Sequence, residues 1–302
     1  MISRRNLLSG LAASTAAGCS AAPRAPLAPY QVPVAPPPPD RASQGLDAVI
    51  DLSRFVTVTD FRLVRQSNIL GVIHKATEGG DYADSMCAAR RPQAEAAGLL
   101  WGTYHFGTGQ SSGAQQAAFF LSVSRPGPRT LLALDLELNE NNPSNSMRLD
   151  QAEAFVQAVA EATGRLPVVY VHPTWANGDP LPGSGLCLGA RITPDSILAR
   201  CGLWVADYHD SPEIPLAWAA KGWRLWQYAG DESAGRPAYG QTSIVRGVSH
   251  CDRNLFNGDA TALYIYTALQ TLNAVVSGAL PVLDDASRYE GWVWGPARAG
   301  AS

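Results

Sequence analysis

Lysine is the scarcest charged residue of this 302-residue chain, since only Lys75 and Lys221 are lysines. Charged residues together make up 16%, and 23 Lys+Arg against 26 Asp+Glu leave a formal net charge of -3. A protein that binds nucleic acid needs an excess of basic residues to neutralise phosphates, so the charge balance argues against nucleic acid as a partner. The hydrophobic fraction of 46% suffices for a core and excludes a fully disordered chain.

Metal-ligand spacing is also missing. The five cysteines include no C-x-x-C pair, which disfavours a zinc site. His105 and His172 are possible metal ligands, but neither has a partner at metal-ligand spacing, so we expect structural histidines. The sequence therefore predicts neither a metal nor another cofactor.

The N-terminal residues have the layout of an export signal followed by a spacer. Ser3-Arg4-Arg5 ahead of a weakly apolar stretch resembles a twin-arginine signal, and Ala17-Gly18-Cys19 resembles a lipobox. The apolar stretch is too short and polar for a good membrane-spanning helix. We predict a signal peptide over 1–18, lipidation of Cys19 and a proline-rich tether over 19–44. A plain secretory signal and an uncleaved anchor are the alternatives.

An export signal fixes the compartment in which the chain works. We predict a lipoprotein of the cell envelope, facing the periplasm and held in the outer membrane if the host is Gram-negative, or else a secreted protein. The membrane is then a partner only through the lipid anchor. Four cysteines remain besides Cys19, and of their three possible pairings we weigh Cys187–Cys201 with Cys87–Cys251 first.

Short apolar runs alternate with amphipathic stretches from Leu46 onward. Nearly continuous apolar runs are typical of parallel strands buried on both faces. Strand–helix alternation indicates an α/β fold, and about eight strands in roughly 210 residues favour a closed barrel. The predicted strands cover 48–52, 69–74, 99–106, 131–136, 167–171, 203–206, 224–228 and 243–248. The predicted helices cover 60–66, 113–123, 151–163 (capped by Asp150 and ended by Gly164) and, against the barrel, 260–283.

Carboxylates follow several predicted strands. Asp135 and Glu137 are two residues apart on an apolar strand, so their side chains point to one face about 6–7 Å apart. Each carboxylate raises the proton affinity of the other, which suits a general acid beside an ionised group. A strand end whose acids merely face solvent is the alternative. Asp51 lies at the end of the first predicted strand, Glu78 and Asp252 follow two others, and acids at barrel strand ends are typical of catalytic sites.

Aromatic residues accompany these acids. Sugars present apolar faces edged with hydroxyls, so aromatic side chains beside carboxylates suit a sugar site, and core packing is the alternative. The aromatic candidates for sugar contact are Tyr104, Tyr170, Trp204, Trp226 and Tyr228.

Several motifs occur in a fixed order between residues 45 and 258. They are Asp51-Leu-Ser53, Lys75-Ala-Thr-Glu78-Gly79, Ala96-Ala-Gly98, Gly102-Thr-Tyr104-His105-Phe106, Asp135-Leu-Glu137, Trp204 and Trp226-Gln-Tyr228. This set resembles the Chalaropsis-type lysozymes, the family 25 glycoside hydrolases. The resemblance implies a TIM-like barrel modified to (βα)5(β)3, in a single catalytic domain over 45–258 with a C-terminal helix and tail over 259–302. It further implies an N-acetylmuramidase that cuts the β-1,4 bond from N-acetylmuramic acid to N-acetylglucosamine, with peptidoglycan as partner. We also expect a monomer, although the sequence leaves the oligomeric state open.

The resemblance also implies residue roles. Glu137 matches the general acid, Asp135 its strand partner, and Asp51 and Asp252 the other acids of the pocket floor. Glu78, Tyr104, Tyr170 and Trp226 match positions that line the sugar site. The family retains the anomeric configuration, and its nucleophile is either an enzyme carboxylate or the acetamido group of the substrate. We favour the second, in which Asp135 orients the acetamide.

Two other functions stay open at this point. One is a non-catalytic lipoprotein of the envelope that binds glycans, and the other is a glycosidase for a different N-acetylated polysaccharide. The sequence also leaves open whether the substrate is the cell's own peptidoglycan or that of another organism.

Overall fold

The computed structural model describes residues 44–230 and 245–269. The strands within them are β1 (Leu46–Leu52), β2 (Gly71–Glu78), β3 (Tyr82–Ala83), β4 (Leu100–Phe106), β5 (Leu131–Asp135), β6 (Val168–Val171), β7 (Gly202–Ala206), β8 (Leu225–Ala229) and β9 (Asp252–Phe256). The helices are α1 (Phe61–Gln66), α2 (Cys87–Ala96), α3 (Gly113–Ser124), α4 (Leu149–Thr163), α5 (Pro173–Ala176), α6 (Ile197–Arg200) and α7 (Ala260–Leu269).

Eight of these strands close into a barrel. Strands β1, β2, β4, β5, β6, β7 and β8 are parallel neighbours in that order. Strand β9 closes the ring between β8 and β1 and runs antiparallel to both. The two-residue β3 pairs with the end of β2. Helices follow the first five barrel strands along the chain, whereas β7, β8 and β9 follow one another without a long helix between them in the residues described. This arrangement confirms the predicted modified TIM-like barrel in one domain.

The barrel strands separate two apolar clusters. Because side chains alternate between the two faces of a strand, one set fills the barrel lumen and the other packs under the helices. The lumen set includes Val49, Ile73, Leu131, Ala133, Val168, Leu225 and Phe256. The outer set includes Ile50, Val72, Phe120, Leu132, Phe155, Val169, Trp218 and Trp226. Whether a strand residue can reach the lumen therefore depends on its place in this alternation.

Helix ends follow the predicted signals in part. Asp60 caps α1 by accepting the backbone N–H of Arg62 at 2.8 Å. Helix α4 ends at Gly164, whose φ of 68° is left-handed, but it begins at Leu149, so Asp150 lies in the first turn and not at the cap. The sequence patterns do not predict α2, which contains Pro92.

The predicted strand over 243–248 is wrong. Residues 245–250 form turns and a single bridge between Val248 and Val58, while 243–244 lie outside the described residues. The eighth barrel strand is β9, and Asp252 begins this strand instead of following one. Because β9 is antiparallel, its first residue lies opposite Asp51 near the end of β1. The reversed strand thus brings Asp252 to the end of the barrel at which the parallel strands finish.

The disulfides that we weighed first are not formed. Cys87 and Cys201 are buried thiols, whereas Cys187 is exposed. The Cys201 thiol donates to the carbonyl of Ile197, and burial raises the pKa of the Cys87 and Cys201 thiols to about 12. Both buried thiols therefore stay protonated at neutral pH.

Some predicted segments fall outside the described residues. They are the signal peptide, Cys19, the tether up to residue 43, and the C-terminal residues from 270 onward. Within 44–230 and 245–269, no helix combines the length and apolarity that crossing a bilayer requires.

Candidate active site

A cavity of roughly 350 Å³ opens at the barrel end where the parallel strands finish. Its lining is Asp51, Tyr104, Asp135, Glu137, Tyr170, Trp204, Gln227 and Asp252, and we call this cavity the acid pocket. All four acids that the sequence predicts as catalytic border it, together with three of the predicted sugar-binding residues. The architecture thus brings these side chains to one place.

Strand register explains this convergence. Asp135, Tyr170 and Trp204 are successive register neighbours on β5, β6 and β7, so their side chains point into the lumen at one level. Asp51 reaches the same region from β1, and Asp252 lies opposite it on β9. Neighbouring strands of a barrel therefore contribute one polar layer above the apolar residues of the lumen.

Asp135 and Glu137 both lie in surroundings that raise the pKa of their carboxyl groups. Asp135 is 8% exposed, and its buried Oδ1 has no hydrogen-bond partner among the described residues. Burial raises the pKa of Asp135 well above its usual range, and the charge of Glu137 adds to the rise. Burial also raises the pKa of Glu137 to about 7, with Glu140 adding to it and Lys75 opposing it. At neutral pH the pair can therefore hold a proton and donate it.

Lys75 places a positive charge beside the acid pocket. Its Nζ lies 2.7 Å from Glu78 Oε2 and 4.8 Å from the ring centroid of Phe106. This charge lowers the pKa of both Asp135 and Glu137, against the effect of burial. Lysine therefore limits how far burial can suppress the ionisation of the two acids.

Glu78 does not border the acid pocket, and its predicted contact with the sugar stays a prediction. It lines a neighbouring polar cavity with Tyr82, Thr108 and Asn145. The Glu78 carboxylate accepts a hydrogen bond from Lys75 Nζ at 2.7 Å, and its charge also adds to the rise in the pKa of Asp135.

Trp226 and Tyr228 also lie away from the acid pocket, which contradicts their predicted contact with sugar. They flank Gln227 on β8, and because side chains alternate, Gln227 faces the lumen while both aromatic rings face outward. Trp226 is fully buried and donates to the carbonyl of Asp207 at 2.6 Å. Tyr228 donates to Asp47 Oδ2 at 2.8 Å. Both are core residues outside the barrel.

The sequence does not predict two amide side chains of the site, Gln227 and Asn254. Gln227 Nε2 donates to Asp51 Oδ2 at 3.0 Å, and Asn254 Nδ2 donates to the same oxygen at 2.8 Å. Gln227 Nε2 also lies 3.5 Å from Asp252 Oδ2. Gln227 lies at the centre of the Trp-Gln-Tyr motif, but the sequence does not reveal whether Gln227 or its two aromatic neighbours face the lumen. Asn254 gave no signal because its strand was misplaced.

Aromatic rings form a wall of the acid pocket. The rings of Tyr104 and Tyr170 meet the Trp204 ring edge to face, at centroid distances of 6.5 and 5.0 Å. Burial and the nearby acids raise the pKa of both tyrosines well above the usual value, so their hydroxyls stay protonated. The wall therefore combines apolar ring area with hydroxyl groups, as a sugar site requires.

The two histidines considered as possible metal ligands, His105 and His172, have partners within the fold. His105 is fully buried, where its ring contacts Thr77 Oγ1 at 2.8 Å and Gln116 Oε1 at 3.0 Å, and burial lowers its pKa to about 4. His172 caps α5 by accepting the N–H of Thr174. In the described part of the chain, no group of three or more His, Cys, Asp or Glu is arranged to hold a metal ion.

Similarity to characterised proteins follows the same region. The model of the family "Glycosyl hydrolases family 25" matches residues 50–235. Lysozyme M1 of Streptomyces globisporus is 30% identical over 226 residues, which are 71% of this chain and 69% of that protein. The N,O-diacetylmuramidase of Chalaropsis sp is 29% identical over 143 residues, which are 41% of this chain and 65% of that protein.

Solved structures resemble the barrel closely. The bacterial lysozyme from Streptomyces coelicolor superposes with a TM-score of 0.60 at 30% identity, covering 76% of this chain and 99% of that one. The family GH25 lysozyme from Aspergillus fumigatus gives a TM-score of 0.58 at 29% identity, covering 74% of this chain and 99% of that one.

Proposed function

Because the chain belongs to family 25 of the glycosyl hydrolases and is a glycoside hydrolase of the lysozyme type, we propose that it cleaves peptidoglycan with Glu137 as the general acid. The bond cut is the β-1,4 bond between N-acetylmuramic acid and N-acetylglucosamine. The observation that carries this proposal is the Asp135–Glu137 pair in the acid pocket, where burial raises the pKa of Glu137 to about 7. A carboxyl that holds its proton near neutral pH can protonate a departing sugar oxygen.

The first step breaks the glycosidic bond. Glu137 gives its proton to the bridging oxygen, the C1–O bond of N-acetylmuramic acid breaks, and N-acetylglucosamine leaves with a free 4-hydroxyl. The acetamido oxygen of the same muramic acid forms a bond to C1. The buried Asp135 Oδ1, which has no partner among the described residues, supports this route because it offers an acceptor to the acetamide N–H. Asp51 and Asp252 lie nearby as negative charges that favour the cationic ring.

The second step restores the enzyme. The Glu137 carboxylate takes a proton from water, the water oxygen attacks C1, and the bond from the acetamido oxygen breaks. Two displacements at C1 retain the configuration of the sugar. Tyr104, Tyr170 and Trp204 supply the aromatic wall against which the sugar ring lies.

Digestion of purified sacculi tests the bond assignment. We expect the products to carry new reducing ends that borohydride converts to muramitol. Formation of glucosaminitol instead would contradict the assignment of the bond. Binding to sacculi without any new reducing end would favour the non-catalytic glycan-binding function, and cleavage confined to other N-acetylated polysaccharides would favour the related glycosidase.

We further propose that the mature chain begins at a lipidated Cys19, which tethers the enzyme to the cell envelope. The lipobox-like Ala17-Gly18-Cys19 and the proline-rich residues that follow it support this address. Mass spectrometry of the mature N-terminus is expected to find a diacylglyceryl group on Cys19. The variant Cys19→Ser is expected to lack this group. An unmodified mature chain that begins at another residue would show a plain secreted form.

A further inference from the structure

The floor of the acid pocket contains two amides whose orientations are fixed by other groups. Asn254 Oδ1 accepts the indole N–H of Trp204 at 2.7 Å. An indole nitrogen can only donate, so this bond assigns the oxygen of the amide and turns Nδ2 toward Asp51. The amide of Asn254 therefore cannot rotate without losing both of its bonds.

Gln227 is held in the same way from the opposite side. Its Oε1 accepts the hydroxyls of Tyr170 and Tyr208, each at 2.8 Å. Both lone pairs of the oxygen are then used, and the two N–H groups of Nε2 face Asp51 at 3.0 Å and Asp252 at 3.5 Å. Gln227 is only 3% exposed, so water does not compete for these bonds.

These donors divide the acids of the pocket into two classes. Asp51 is 7% exposed, but its Oδ2 accepts two amide N–H groups, which favour the charged form of a carboxylate. Asp135 is similarly buried, and its Oδ1 accepts none among the described residues. Burial disfavours the charged form of both carboxylates, and only Asp51 has amide hydrogen bonds on Oδ2 that oppose this effect.

We propose that Gln227 is a positioning residue that keeps Asp51 and Asp252 ionised and thereby confines the exchangeable proton of the site to Asp135 and Glu137. The effect of Gln227 on catalysis rests on the proposed function, because the proton held by Asp135 and Glu137 is the one that Glu137 transfers to the leaving sugar. The effect of Gln227 on the ionisation of Asp51 does not rest on the proposed function, because the amide acts on Asp51 whether or not a substrate binds.

Several titratable groups lie in or beside the acid pocket with Asp51. They are Asp252 on β9, Asp135 and Glu137 at the end of β5, Lys75 on β2, Tyr104 on β4, Tyr170 on β6 and Tyr208 after β7.

Carboxyl titration by ¹³C NMR tests the proposal without substrate. Gln227→Met keeps the length of the side chain and removes both amide functions. We expect the titration midpoint of Asp51, assigned by comparison with Asp51→Asn, to rise by about one pH unit or more in this variant. The matched control is Gln157→Met on the exposed face of α4, which we expect to leave the midpoint unchanged.

The outcomes separate positioning from simple structural support. A folded Gln227→Met whose Asp51 midpoint equals that of the wild type would overturn the proposal. If that variant does not fold, Tyr208→Phe removes one donor to Gln227 Oε1 and is expected to move the midpoint in the same direction by less, and an unchanged midpoint there would equally overturn it.

Activity measurements then show which proposal fails. We expect the acid limb of kcat/KM on sacculi to lie at higher pH in Gln227→Met than in the wild type, because Asp51 and Asp252 lose the amide that favours their charged forms. If the Asp51 midpoint moves in Gln227→Met but the wild type never cleaves sacculi, the positioning role stands and the proposed function is rejected. Cleavage with an unmoved midpoint would do the reverse.

Discussion

Replacing Glu137 by glutamine is expected to lower kcat on purified sacculi by about 10²–10⁴-fold, because an amide cannot donate the proton that the leaving sugar oxygen needs. Release of reducing ends measures the loss. The matched control is Glu161→Gln, an exposed residue of α4, for which we expect wild-type rates. Activity of Glu137→Gln within a few-fold of the wild type would reject Glu137 as the general acid.

The same substitution has a pH-dependent effect on stability. The pKa of Glu137 is about 7 in the folded chain, against 4.5 as the ordinary value, so the folded state holds the proton more tightly than the unfolded state. The stability that this proton provides is present below pH 4.5 and is lost as the pH rises through about 7. We expect Glu137→Gln to raise Tm at pH 8 and to leave it nearly unchanged at pH 4. A lower Tm at both pH values would show a damaged fold.

Replacing Asp135 by asparagine is expected to lower kcat by about 10²-fold or more, because the acetamide N–H loses its charged acceptor and keeps only the weaker oxygen of a neutral amide. The alkaline limb of the pH profile should also move to lower pH, since Glu137 ionises more easily without a carboxylate beside it. The control is Asp195→Asn at an exposed loop position, where we expect neither change.

The alternative mechanism makes a different prediction for Asp135. If an enzyme carboxylate attacks the sugar, an inhibitor that traps the intermediate would leave a glycosyl ester on an aspartate. Mass spectrometry of the digested protein would detect it. Such an ester on Asp135 would contradict the role of Asp135 as the group that orients the acetamide.

The sequence predicts the seven parallel strands of this barrel well for a physical reason. Strands such as β5 are buried on both faces and read as continuous apolar runs, so the acids that interrupt them at Asp135 and Glu137 stand out. The alternation along β8 does not reveal which parity faces the lumen, because Trp226, Gln227 and Tyr228 are all buried. Burial alone cannot distinguish the lumen from the layer beneath the helices.

The position of Asp252 shows a second limit. The sequence predicts this acid at the pocket, but from a strand that precedes it. The true strand β9 begins with Asp252 and carries Arg253 and Asn254, so it does not read as an apolar run. Its polar residues pair with groups that lie far away along the chain, namely Asp47 for Arg253 and Asp51 for Asn254. Such pairings depend on the closed ring and leave no local pattern.

The antiparallel closing strand also sets when the enzyme becomes competent during its synthesis. Asp51 and Asp252 oppose each other on β1 and β9, near the start and the end of the barrel. A ribosome that has completed β8 has already made Asp51, Asp135, Glu137 and Gln227, but the ring is still open between β8 and β1. The nascent polypeptide therefore has no complete pocket until one of its final segments inserts. Premature termination before residue 252 removes an acid and the closure together, so incomplete products carry no wall-degrading activity.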